Sequence, residues 1–292
     1  MTYQSENIKP NIAVILTCFN RKEKTLRCIK SLADSSNKSE IRFVVVDDNS
    51  TDGTKEALEE LSYDIKIIDG NGQLFWCGGM YTGLQYVLEN ETPDYVFFVN
   101  DDVAFYPSVI DRMLDEVSKG NFDSISEKDV KIDTPNILVG TTCDTEGKVS
   151  YGGVVLTSKH LAKFDILDIN QKRKCDTFNC NCVLVPFELV KKIGNFDSKY
   201  THSMGDFDYG LRASRCGYVI SNTDYYVGEC DTNSEIGTWK DISLPRKERL
   251  KLKETRKGLP KNDWWHFCKK NFGVLPAIYH SITPYIRILI KK

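Results

Sequence analysis

At 292 residues, 41% hydrophobic and 27% charged, the chain has the composition of a folded protein with a sizeable core, best read as one α/β unit with a C-terminal appendage. No stretch reaches the roughly 18–20 uninterrupted apolar residues of a membrane-crossing helix, and the polar opening MTYQSENIKPN lacks the apolar centre of a signal peptide. The net charge of −2 conceals an asymmetry: residues 240–292 hold 14 Lys/Arg against 4 Asp/Glu, a local +10, leaving −12 on residues 1–239.

Residues 11–17 (NIAVILT) form a short β-branched run of the kind buried on both faces of a parallel sheet. Leu26, Ile29, Leu32 and Ala33 then recur at helical spacing, and IRFVVVD at 41–47 is a second buried strand. A turn, Asn49-Ser50-Thr51-Asp52-Gly53, leads into a helix at about 54–62. Strands follow at 65–69 and 95–99, with a helix over 78–88 between them. This βαβα order predicts a Rossmann-like, mostly parallel sheet with helices on both faces. Strand candidates at 137–140, 150–157 and 179–185 predict a mixed sheet built onto it, and 206–216 reads as a helix closed by Gly217. Beyond residue 231 the chain is basic and aromatic, a helical extension.

Ligands of open α/β sheets sit outside the carboxyl ends of the strands, and three of those ends are unusually polar. The first strand ends at Thr17, with Asn20 and Arg21 beyond it; the second ends in Asp47-Asp48-Asn49-Ser50 and the fourth in Asn100-Asp101-Asp102. Adjacent carboxylates need a cation or a hydrogen-bond network to compensate them. Mg²⁺ and Mn²⁺ favour one or two carboxylates plus phosphate oxygens; the alternative is a turn in which Asp101 or Asp102 caps a helix. A carboxylate at 47–48 could accept a hydrogen bond from a base imide or a ribose, or serve only the turn. Ten scattered cysteines form neither a disulfide framework nor a zinc spacing, so free thiols and a cytoplasmic location are expected, with Cys180 and Cys182 pointing the same way on their strand.

TCFNR, VVVDDNSTDGT, FFVNDD and NCNCVLVP…IGNFD…GDFDYGLRASRCGY occur in the order seen in glycosyltransferase family 2, and the chain from 11 to 230 resembles its bacterial rhamnosyltransferase-like branch. The resemblance implies a GT-A fold over residues 1–230, with a nucleotide-sugar-binding half (about 1–102), an acceptor-side half (103–230) bearing the mixed sheet, and the helical extension at 231–292. It implies that Thr17, Asn20, Arg21, Asp48, Trp76, Gly78, Gly79, Asp101 and Arg212 serve donor binding. Asp102 matches the most dependable metal ligand of the family's variable acidic signature, and Asp206 the catalytic base, with Asp208 in reserve. Two positions depart from the pattern. Gly205 stands where a glutamate usually precedes the base, and Cys230-Asp231 falls where relatives carry a metal-binding histidine.

These readings predict an inverting transferase that moves a sugar from a UDP- or dTDP-sugar to a hydroxyl of a glycan or lipid-linked acceptor in surface polysaccharide synthesis, with Mg²⁺ or Mn²⁺ as cofactor. The nearest enzymatic rival, a sugar-phosphate nucleotidyltransferase, would want a glycine-rich phosphate loop that TCFNRKEK lacks; a nucleotide-sugar-binding module without catalysis is the other. His202 is a candidate donor or acceptor contact, and Trp264-Trp265 a sugar platform or packing between tail and body. The basic stretch 246–257 is a solvated helix face or a peripheral contact with the inner face of the cell membrane. A homodimer is also open, and no nucleic-acid partner is expected.

Overall fold

The β-branched runs become the parallel half of a long sheet, because strands buried on both faces carry no polar alternation. The computed structural model describes residues 9–118, 136–171 and 174–290. The opening polar residues 1–8 and the terminal lysines lie outside them.

The first half of the chain runs β1 (Asn11–Cys18), α1 (Lys22–Ala33), β2 (Glu40–Asp47), α2 (Thr54–Glu59), β3 (Ile65–Asp69), α3 (Phe75–Asn90) and β4 (Tyr95–Val99). The middle runs β5 (Ala104–Phe105), α4 (Val109–Ser118), β6 (Asn136–Cys143), β7 (Val149–Tyr151), β8 (Gly153–Ser158), β9 (Lys163–Ile166), β10 (Lys174–Cys175) and β11 (Thr177–Phe178). The rest comprises β12 (Cys182–Pro186), α5 (Phe187–Ile193), α6 (Gly205–Arg215), β13 (Val219–Glu229), α7 (Arg246–Lys253), α8 (Lys261–Phe272) and α9 (Val274–Ile290).

Strand order in the main sheet is β10-β13-β6-β12-β4-β1-β2-β3, with β8, β9 and β11 in a small second sheet. The stretch β4-β1-β2-β3 is parallel, and β12 enters antiparallel between β4 and β6. This is the expected parallel sheet with a mixed extension. In register, Cys18 faces Asp47 and Asp47 faces Asp69, so the β1, β2 and β3 ends form one polar edge. Helix α3 packs Met80, Leu84 and Val87 on one face of the sheet, joined by α5, α6, α8 and α9. On the other face α1 supplies Ile29 and Leu32, and α4 supplies Ile110 and Met113.

Several elements were not legible in the sequence, among them α4, α5 and β13. Helices α4 and α5 are short, and β13 carries Ser221, Asn222 and Thr223 buried at its centre, which breaks the apolar pattern. Of these, Thr223 accepts from Thr141 N–H at 3.0 Å and donates to the Tyr225 carbonyl at 2.8 Å. Cys180 and Cys182 do not share a face. The strand begins only at Cys182, which meets Met113 on one side of the sheet while Cys180 packs on the other. All ten cysteines are free, and only Cys216 is exposed.

The C-terminal extension is wired to the body through a buried carboxylate. Asp208, fully buried, accepts from Arg212 Nε at 3.0 Å, Lys270 Nζ at 2.8 Å and Asn271 Nδ2 at 3.1 Å. Trp264 stacks on His280 with ring centroids 4.2 Å apart, so it packs α8 on α9 rather than forming a platform. Asp208→Ala should strand the Arg212 and Lys270 charges and destabilise the fold by about 3 kcal/mol, read from urea unfolding; Asp208→Asn should cost less.

Candidate active site

The carboxyl ends of β1, β2 and β4 lie side by side because β1 is the central strand of the three. Their loops are stitched together. Asn20, in the left-handed region at φ 51°, donates its N–H to Ser50 Oγ at 2.9 Å and accepts from Thr51 N–H at 2.7 Å. Asparagine tolerates that backbone better than most residues do.

Arg21 reaches from the β1 loop to the acidic triplet. Its Nη1 donates to Asp101 at 2.7 Å and its Nη2 to Asp102 at 2.9 Å, one planar fork spanning two carboxylates. Asp101 is buried, with its other oxygen held by the Thr25 hydroxyl at 3.4 Å. Burial pushes Asp101 up to about 6, although Arg21 pulls the other way. Both Asp101 oxygens thus have partners inside the protein, Arg21 on one and Thr25 on the other. Neither aspartate caps a helix, since α4 begins only at Val109.

Asp102 is the carboxylate of the triplet with more solvent access. Its second oxygen accepts from the Cys230 thiol at 3.4 Å. Cys230 is delivered there by β13, whose last residues pair with Ala104 and Phe105 just beyond the triplet. Burial, then the nearby Asp102 charge, pushes the Cys230 thiol up to about 12, so it stays protonated and donates. A soft, protonated thiol is a poor ligand for Mg²⁺ or Mn²⁺, so Cys230 supports Asp102 rather than joining a metal shell. Asp231 turns to Thr145 N–H at 3.2 Å. Among the described residues no group of three His, Cys, Asp or Glu could hold an ion. What the site offers a hard cation is one accessible carboxylate, which suits an ion completing its shell with phosphate oxygens and water.

Asn100 is tied to Trp76, whose indole Nε1 donates to Asn100 Oδ1 at 2.7 Å. Trp76 in turn lies edge-on to Phe196 and beside Gly205 at the start of α6. The loop before α3 is held by Asp48, whose carboxylate accepts N–H donors from Gly72 at 2.8 Å and from Leu74 and Phe75 at 3.0 Å each. Asp48 thus builds the loop, with little acceptor capacity left for a ligand. Gly79 is a packing residue, since a Cβ there would fall 2.1 Å from Thr17 Oγ1; Thr17 itself donates to the Val46 carbonyl at 3.1 Å. Gly78 has only Leu74 near it, at ordinary contact distance.

Asp206 sits in the first turn of α6, where the helix N-terminus favours a carboxylate. It accepts from Phe207 N–H at 2.8 Å, yet enclosure of its carboxyl outweighs that help and pushes it up to about 6. The reserve candidate, Asp208, is saturated by cations and unreachable. Arg212 is likewise turned inward, with Nη1 on the Ile193 carbonyl at 2.7 Å and Nη2 on the Asn195 carbonyl at 2.8 Å. It braces the turn before α6 and leaves no fork for the donor.

His202 lies in the loop leading to Asp206, edge-on to Phe75, with a buried Nδ1 that has no hydrogen-bond partner among the described residues. Burial, reinforced by Lys257, lowers it to about 4, so it is neutral. The residues missed from the sequence are Thr25, Asn181 and Arg256. Thr25 follows Arg21 at one helical turn, Asn181 donates to Cys230 Sγ at 3.5 Å, and Arg256 of the extension donates to the Gln73 carbonyl at 2.7 Å. Only Thr25 had a sequence cue, its i+4 spacing.

The departure at Gly205 has a steric cause: a Cβ there would lie 2.3 Å from Cys77 Sγ. Gly205→Ala should destabilise the protein by about 1–3 kcal/mol, the usual cost of overpacking. Adding Cys77→Ala should recover most of that loss, as read from the two unfolding midpoints.

Residues 13–134 match the glycosyl transferase family 2 model. An uncharacterized glycosyltransferase of Rickettsia typhi is 25% identical over 221 residues, 75% of this chain; the chain spans 63% of that relative's length. TarS 1–349 of S. aureus, solved in complex with UDP-GlcNAc, superposes with a TM-score of 0.58 at 13% identity, over 96% of this chain and 72% of that one. The mannosyltransferase PcManGT from Pyrobaculum calidifontis, solved with GDP-Man and Mn²⁺, gives 0.54 at 12%, over 97% and 70%. Over residues 13–134 the chain is thus similar to glycosyltransferase family 2, and its fold is that of the GT-A structural neighbours.

Proposed function

We propose that this protein transfers a sugar from a nucleotide-diphosphate donor to an acceptor hydroxyl with inversion, Asp206 acting as the base. The observation that carries the reading is a carboxyl group enclosed without a cation, on the loop-to-helix turn that Trp76 links to the acidic strand end. An alcohol is a poor nucleophile until a carboxylate within hydrogen-bond reach takes its proton as the new bond forms. A base held near 6 is ionised at neutral pH and still more basic than an ordinary aspartate. One such base, with no nucleophilic side chain assigned beside it, fits a single displacement.

Asp102 would hold a bound Mg²⁺ or Mn²⁺, with Arg21 and Cys230 fixing its carboxylate. Such an ion supplies Lewis-acid neutralisation of the diphosphate leaving group. The structural neighbours solved with UDP-GlcNAc and with GDP-Man and Mn²⁺ support a nucleotide-sugar donor and a divalent ion. We assign a UDP- or dTDP-sugar, with the Asp48-braced loop beside the base, and a glycan or lipid-linked acceptor in surface polysaccharide synthesis.

Asp206→Asn should lower kcat by about 10²–10⁴-fold while leaving donor affinity unchanged in calorimetry; full turnover by this variant would remove Asp206 from the role. Because the Asp206 carboxyl is raised, the ionised base is present above about pH 6 and lost below it. The rate should therefore fall about tenfold per pH unit on the acid side. Asp101 is raised into the same range, so donor affinity is followed in parallel: a loss in rate at constant affinity belongs to Asp206.

Chelation with EDTA should abolish transfer, and Mn²⁺ or Mg²⁺ should restore it. In a thermal-shift panel of UDP-, dTDP- and GDP-sugars, Mn²⁺-dependent stabilisation should appear with the pyrimidine donors and vanish in Asp102→Ala. Stabilisation by GDP-sugars alone would overturn the pyrimidine assignment.

A further inference from the structure

Helix α9 is apolar on two opposite sides, and among the described residues only one of them is covered. Ala277, Ser281, Pro284 and Ile288 are buried. Leu275, Ile278, Ile282, Ile286, Leu289 and Ile290, between 43 and 79% exposed, form the other side. Their spacing of three and four residues places them in one stripe along a 17-residue helix about 25 Å long. A helix apolar all round is ordinarily covered by something, and exposed apolar patches of this kind mark interaction surfaces.

We infer that the outer stripe of α9 docks the protein flat on an anionic lipid surface. Two observations choose this occupant over a second copy of the chain. Residues 240–292 carry 14 Lys/Arg against 4 Asp/Glu, and α9 itself has no acidic residue. Exposed Lys247 and Lys251 lie on α7, which packs against α9, and Arg287 lies exposed on α9 itself. Self-association would bring two such basic segments together, whereas anionic headgroups complement them. At 17 residues with one internal proline, α9 is a helix to lie in the interface, and no helix among the described residues is long and apolar enough to cross a membrane. The basic stretch at 246–257 thus contributes charge, while the apolar anchor is the helix after it.

Flotation of the full chain with phosphatidylcholine vesicles, and with mixed phosphatidylcholine–phosphatidylglycerol vesicles, tests this without reference to catalysis. The protein should float with the anionic vesicles, less with the neutral ones, and less again as salt is raised. Ile278→Gln/Ile282→Gln/Ile286→Gln, three exposed positions that should leave the melting temperature unchanged, should lower the anionic-vesicle partition coefficient about a hundredfold. A wild-type chain that floats with neither vesicle, or a triple variant that binds as well as wild type, overturns the inference. So does a wild-type dimer that the triple variant converts to monomer without any vesicle binding, which would make the stripe a self-association face.

Discussion

Two adjacent carboxylates at the end of a buried strand cannot stand uncompensated, and the Arg21 fork on Asp101 and Asp102 is what makes the rest of the site possible. Placing it requires the β1 loop to turn immediately after Cys18, which the left-handed Asn20 and its bonds to the β2 loop accomplish. It requires α1 to begin at Lys22, so that Thr25 comes within reach of Asp101 one turn later. It also sorts the pair chemically. The deeper carboxylate is engaged in positioning the clamp, and the shallower one keeps more solvent access. A doubled acidic signature therefore need not mean two metal ligands.

The C-terminal extension, which in sequence looks like an appendage, is tied into the loops around the candidate site. Lys270 and Asn271 neutralise Asp208, Thr201 donates to Asp263 at 3.1 Å, and Arg256 lies over the Phe75 ring while holding the Gln73 carbonyl. The loop carrying His202 and the loop leading into α3 are both tethered to residues beyond 250. Rigid placement of a site by packing and hydrogen bonds to residues that never touch substrate is what catalytic geometry demands.

The parallel half of the fold was legible because NIAVILT, IRFVVVD and YVFFV are short, β-branched or aromatic, and buried on both faces, so composition alone marks them. The acidic strand end was legible for the same reason, being polar where the run stops. Side-chain direction was not legible. Asp48 and Arg212 are residue types that suit a nucleotide, and both instead answer backbone groups of their own neighbourhood: three N–H donors for one, two carbonyls for the other. Cys230 was located by counting along the chain, but its partnership with Asp102 depends on β13, whose polar centre hid it. The extension's contacts span more than sixty residues in sequence and leave no local periodicity to read.

Asp206 and Asp208 stand two residues apart on one helical turn, and their environments divide the work between them. Asp208 is surrounded by donors from Arg212, Lys270, Asn271 and Tyr200, so its carboxylate is a structural anchor. Asp206 meets backbone N–H groups but no cation, so burial alone raises it. Exchanging the two roles would require moving the cations, and Lys270 and Asn271 belong to α8, held in place by Phe267 and Cys268 in the core. The position of the base we propose, Asp206, is thus set from outside its own helix, by the extension that keeps its neighbour occupied.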